Sequence, residues 1–171
     1  MYTIQKLSKI TIWVLASSML LLSLMVPGGP VETRSFQHVD PAVVMGFNIF
    51  LTLLVIVSLV TAYFMHKKQK WAYQLCGILG FAYMLVFILD LAKIFPVSSD
   101  PMEMPLLVLE WVSLFLGATL MGLSYKTVML QDDTFWAGKA RIPIWGFITV
   151  LLFLLVGLFI ISFATTSALS S

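Results

Sequence analysis

Five long apolar runs, separated by short polar or proline-bearing stretches, dominate this sequence. They lie at about residues 10–26, 42–65, 71–95, 105–125 and 143–164. An α-helix rises about 1.5 Å per residue, so about 20 apolar residues match the hydrocarbon core of a bilayer, about 30 Å thick. Backbone N–H and C=O groups inside that core find no water, so apolar runs of this length must satisfy them internally as helices. The sequence therefore predicts an all-α integral membrane protein, a compact bundle of five transmembrane helices forming a single polytopic domain over residues 1–171. Composition agrees: 60% of the residues are hydrophobic and 11% charged, whereas a soluble domain carries about 25% charged residues to cover its surface.

Each run ends where the chemistry changes. Pro27-Gly28-Gly29-Pro30 stops the first, because proline lacks the amide donor and glycine favours turns. Asp40-Pro41 reads as an N-cap followed by the first helical residue of the second. His66-Lys67-Lys68-Gln69-Lys70 separates the second run from the third, Pro96 ends the third, and Pro105 and Pro143 open the last two. The first run, preceded by Lys6 and Lys9, is long for a signal-peptide core and is followed by no A-x-A cleavage pattern, so a retained anchor is expected. The connection over residues 126–142 contains Phe135-Trp136 and suits a short helix lying in the interface.

Orientation follows from the short loops, since Lys and Arg collect on the cytoplasmic side. The N-terminus, residues 66–70 and residues 126–142 hold Lys6, Lys9, Lys67, Lys68, Lys70, Lys126, Lys139 and Arg141, while the opposite loops hold only Arg34. This predicts a cytoplasmic N-terminus, an extracytoplasmic C-terminus and residence in the cell inner (plasma) membrane. Trp71, Trp136 and Trp145 fall at the inner boundary, where indole rings prefer to sit. The net charge of +2 is too small, and its lysines too tightly tied to helix ends, for a nucleic-acid partner. Membrane lipids are the expected partners, together with other membrane-protein subunits or a second copy in a homodimer.

Ionisable side chains inside a span cost about 2.5–3.5 kcal/mol each at the helix centre on insertion scales, so they mark places to look for function. Asp90 and Lys93 lie on the third run and Glu110 on the fourth. Counted from Phe95 and Pro105, Asp90 and Glu110 both sit roughly 7–8 Å inside the outer ends of their helices, and Asn48 of the second run falls at a similar level. Asp90 and Lys93 are i,i+3 neighbours, and Arg34 of the first outer loop is placed to fold down over them. The expectation is a near-neutral network of two acids and two bases. Asn48, Asp90, Lys93, Glu110 and Arg34 are the candidate ligand- or ion-binding residues. His38, with Glu32, Asp40, Asp90 or Glu110, is a weak metal candidate, since a lone histidine falls short of the usual ligand set.

Recognisable catalytic patterns are missing. The sequence has no H-E-x-x-H, no G-x-S-x-G and no G-x-x-x-x-G-K-[ST]. Cys76 is the single cysteine, so neither a CxxC pair nor an intrachain disulfide exists. His38 and His66 fall at opposite faces, which rules against bis-histidine haem ligation. Ala72, Cys76 and Gly80 recur every four residues on the third run; Ser113 with Gly117, and Ala118 with Gly122, do so on the fourth. Such spacing brings helix backbones close, either within the chain or in a homodimer. No cofactor is expected. The favoured reading is a non-enzymatic accessory, assembly or interaction subunit with an ordered outer loop network. The alternative is a protein handling a small ligand, lipid, ion or proton in an outward-facing Asp/Lys/Glu pocket.

Overall fold

The structure, a computed structural model, describes residues 2–28, 30–32, 34–98, 100–130, 136 and 144–170; side chains are described for these except residues 2–4, 144–150 and 168–170. The described residues form five helices: α1 (Tyr2–Leu24), α2 (Pro41–His66), α3 (Lys70–Leu91), α4 (Met104–Leu130) and α5 (Ile144–Ser170). There is no strand among them. The first four are long and apolar enough to cross a membrane. Helix α2 starts where its local chemistry predicts: Asp40 accepts from the Ala42 amide at 2.7 Å, with Pro41 at the first helical position.

Helices α1 to α4 pack in sequence and α1 returns against α4, closing a four-helix bundle, while α5 packs on α2 from outside. The chemistry is inverted relative to a soluble bundle. Trp13, Phe115 and Phe159 point outward at 73%, 69% and 73% exposure, whereas Asn48, Ser58, Thr61, Glu110, Ser113 and Thr127 are buried. Such an apolar exterior calls for a lipid solvent. Inside, hydroxyl groups of Thr11, Ser18, Ser58 and Thr127 bond the carbonyl four residues earlier, and several also reach across helices. Tyr83 of α3 meets Ser58 of α2 at 2.8 Å, and Tyr73 bonds Ser8 of α1 and the Met65 carbonyl.

The small residues place α3 against α4. Gly80 and Gly117 face each other so closely that a Cβ at Gly80 would lie 2.9 Å from the Gly117 carbonyl oxygen, and one at Gly117 would lie 3.1 Å from that of Gly80. Ala72, Cys76 and Ser113 are buried along with them. Ala118 and Gly122, by contrast, are exposed, and a Cβ at Gly122 meets nothing within 4 Å.

Helices α2 and α3 end in the same way, and only the second of these ends departs from the expected boundary. Both α2 and α3 close with a Schellman turn carrying a lysine in the left-handed conformation. Lys68 has φ 55° and Lys93 has φ 54°. At the end of α2 the Gln69 amide reaches the Phe64 carbonyl at 3.0 Å; at the end of α3 the Ile94 amide reaches that of Leu89 at 2.9 Å. Helix α3 therefore stops at Leu91, short of Phe95. Beyond the end of α3, Phe95 packs edge-on against Phe47 of α2 at 4.9 Å. Of the connection after α4, Trp136 is described, lying 5.5 Å from Tyr73 and beneath the Lys70 ammonium. The expected interfacial helix, with Asp132, Asp133, Phe135, Lys139, Arg141 and Pro143, lies outside the described residues, as does the side chain of Trp145.

Candidate functional site

Arginine offers five donors in a planar fork and keeps its charge, so a buried arginine needs carboxylates on more than one side. Arg34 lies in the connection between α1 and α2 and is 5% exposed. Its Nε donates to Glu32 Oε1 at 2.8 Å and its Nη2 to Glu32 Oε2 at 2.6 Å. The other edge grips α3: Nη1 donates to Asp90 Oδ1 at 2.9 Å and Nη2 to Asp90 Oδ2 at 2.8 Å. The Arg34 amide also donates to Glu32 Oε1 at 3.1 Å, which fixes the local turn. Phe36 anchors the same segment, fully buried, with its ring 5.8 Å from the guanidinium. Burial pulls the guanidinium toward its neutral form, but the hydrogen bonds and charges of Glu32 and Asp90 outweigh it and hold Arg34 above its ordinary value.

Glu110 completes the cluster from α4. It is wholly buried, its Oε1 stands 3.8 Å from Arg34 Nη2, and no N–H donor bonds either oxygen, while its carboxyl lies within hydrogen-bonding reach of the Asp90 carboxyl. Asp90 and Glu110 thus approach the same guanidinium nitrogen from two helices. The network contains three carboxyl groups and one arginine, rather than the two acids and two bases expected.

Lys93 is the residue that does not join. An i,i+3 contact needs a helix running through both positions, and the Schellman turn ends that geometry at Leu91. In the left-handed position Lys93 is exposed and forms none of the cluster's ion pairs. The place of a further partner in the network is taken by an acid, Glu32, which sequence reasoning weighed only as a metal ligand. The available signal was its position two residues before Arg34.

Asn48 is fully buried too, but bonds elsewhere. Its Nδ2 donates to Thr165 Oγ1 of α5 at 3.1 Å and to the Pro27 carbonyl at 3.4 Å, leaving Oδ1 unpartnered. It ties α5 and the end of the first span to α2. His38 is exposed, with Nε2 against the Val97 carbonyl at 2.9 Å. No group of three or more His, Cys, Asp or Glu side chains arranged to hold a metal occurs among the described residues.

The His38 contact belongs to a second layer that the sequence did not reveal. The Ser35 amide donates to Asp100 Oδ2 at 2.8 Å, and Ser98 Oγ donates to the Ser35 carbonyl at 3.0 Å. Together with Arg34–Asp90 these bonds lace the α1–α2 connection to the α3–α4 connection. Beneath them lies a small space of about 10 Å³, lined in part by Glu32, Asp90, Phe47 and Pro96. That is room for one water at most.

A family model described as "Domain of unknown function (DUF8051)" matches residues 7–141. The matched segment holds α2, α3, α4, nearly all of α1 and the entire charge cluster; α5 lies beyond it. No curated protein and no solved structure matches the chain.

Proposed function

The chain belongs to the family that this model describes, and we propose that it works there as a non-enzymatic accessory, assembly or interaction subunit of a membrane. In this reading five helices cross the cell inner membrane, with the N-terminus cytoplasmic and the C-terminus extracytoplasmic. The lysine-rich ends then face the cytoplasm and the Arg34 layer faces out. The observation that carries the functional reading is the closure of the cluster. Arg34 is chelated by Glu32 and Asp90 on both edges, and among the described residues the adjoining space is about 10 Å³, room for one water at most. Buried charges spent this way turn two loops into one fixed surface, which is what a recognition platform needs.

The test is migration and flux together. Solubilised gently from its native membrane, the protein is expected to run in an assembly larger than the isolated chain, and the purified chain in liposomes is expected to carry no proton or alkali-cation flux. A monomeric particle with flux abolished by Glu110→Gln would refute the reading.

One observation favours the second reading, a protein that handles a proton or small ion. Glu110 is a carboxyl with no exposure and no N–H donor on either oxygen, facing the Asp90 carboxyl within hydrogen-bonding reach. Intramembrane acids of this kind are the usual carriers of protons. In that reading Glu110 exchanges a proton with Asp90 as its neighbour, and Glu110→Gln removes flux while leaving the assembly intact.

A further inference from the structure

The end of the bundle opposite Arg34 carries a second polar feature. A cleft of about 230 Å³ opens between the start of α1 and the end of α2. Lys9 of α1, with His66 and Lys68 at the end of α2, forms its basic lining; Ser8 and Ile12 contribute from α1, and no acidic side chain is among its described lining residues. Lys9, His66 and Lys68 are exposed at the rim. The wall behind them is held in shape, because Ser8 is bonded to Tyr73, which in turn donates to the Met65 carbonyl at 3.1 Å. Directly along α1 from the cleft, Ile10 and Trp13 are exposed at 41% and 73%, so the surface changes from basic to apolar within about one helical turn.

A ligand that fits both parts has an anionic head and an apolar tail. We propose that this cleft is a binding site for the phosphate headgroup of an anionic phospholipid, with its acyl chains running over the apolar flank of α1. Lys9 supplies a point charge to the phosphate oxygens; Lys68, whatever else it touches, adds positive potential to the same rim, and His66 supplies a further ring nitrogen there. The helix ends place these groups where headgroups lie, and basic pockets between spanning helices hold such lipids by this chemistry. The site is independent of the Arg34 cluster and of the role proposed for it; it requires only that α1 and α2 span the membrane.

The experiment is native mass spectrometry of the full-length protein in detergent, titrated with phosphatidylglycerol or with phosphatidylcholine of the same chain length. Phosphatidylglycerol is expected to be retained preferentially. Each lysine near an anionic headgroup is worth about a fivefold change in affinity, so Lys9→Gln with Lys68→Gly should weaken retention about 25-fold. Glycine suits the left-handed backbone at position 68, so this pair keeps the turn intact. Lys67→Gln, which removes a nearby charge outside the cleft, should leave retention within about twofold of the parent. Equal binding of the two lipids by the parent protein would overturn the proposal, with no variant required. So would an equal loss for Lys67→Gln and the double variant, or full displacement of the lipid by an equimolar amount of glycerol 3-phosphate, which has the head and lacks the tail.

Discussion

Removing the Arg34 side chain should be among the most damaging single changes available to this protein. Four charge-assisted hydrogen bonds, between 2.6 and 2.9 Å, join its guanidinium to Glu32 and Asp90. Each such bond contributes about 1.5–3 kcal/mol net of the water it replaces, but all four share one guanidinium and so do not simply add. What decides the outcome is the several kcal/mol per group that it costs to keep an ion out of water once its partner is gone. Arg34→Ala incurs this cost, because Glu32 at 5% exposure and the wholly buried Glu110 stay where they are without their cation. Breaking one side of a buried ion pair in this way costs about 3–5 kcal/mol. The assay is reversible unfolding of the purified protein in mixed micelles, paired with limited proteolysis of the α1–α2 connection. Arg34→Ala should unfold at lower denaturant and be cut in that connection, whereas Arg34→Met combined with Glu32→Gln and Asp90→Asn should recover much of the loss. A loss under about 1 kcal/mol for Arg34→Ala, with the connection still protected, would refute the reasoning.

Other perturbations separate the parts of the structure. Lys93→Gly should stabilise the protein by about 1 kcal/mol in the same unfolding assay, because it relieves a left-handed lysine and removes no ion pair of the cluster. Gly80→Ala and Gly117→Ala should each cost about 1–3 kcal/mol by forcing α3 from α4, while Gly122→Ala, mid-helix with open space around it, should cost nothing and stabilise by up to about 1 kcal/mol. Arg34 is held above its ordinary value, so its contribution is complete below that value and is lost only as pH rises through the raised one. Raising pH from about 7 to about 10 should therefore leave the α1–α2 connection as protease-resistant as before. Asn48→Ala should loosen α5 from α2, read as faster amide exchange in α5, at a cost of about 0.5–1.5 kcal/mol from the Thr165 bond.

The helices were legible because crossing a bilayer demands about 20 apolar residues in helical form, a length and composition that the first four meet. Asp40-Pro41 was legible as well, since a cap and a fixed φ are local chemistry. The close α3–α4 contact could be read from Ala72, Cys76, Gly80, Ser113 and Gly117, but the same spacing at Ala118 and Gly122 turned out to face outward, because periodicity identifies a face without naming what covers it. Asp90 and Glu110, read at one depth, approach the same guanidinium, which Arg34 brings down from its loop, whereas Asn48, read at that depth too, bonds Thr165 instead. Lys93 did not, since no residue near it announces a Schellman turn: the position most often filled by glycine holds a lysine. Glu32, Ser98 and Asp100 were missed for a different reason. Their roles depend on how two loops fold against each other, and loops carry no period from which facing partners can be counted.

The proposed platform can be tested where it meets its surroundings. A photo-crosslinking residue placed at Gln37, which is exposed on the Arg34 connection, can be activated in native membranes, and the adducts identified by mass spectrometry. A single discrete protein adduct that is lost in the Arg34→Ala variant, but kept in Lys93→Gly, is the predicted result. Adducts with lipid alone, or a protein adduct unchanged when the Arg34 clamp is broken, would contradict a recognition surface built on that clamp.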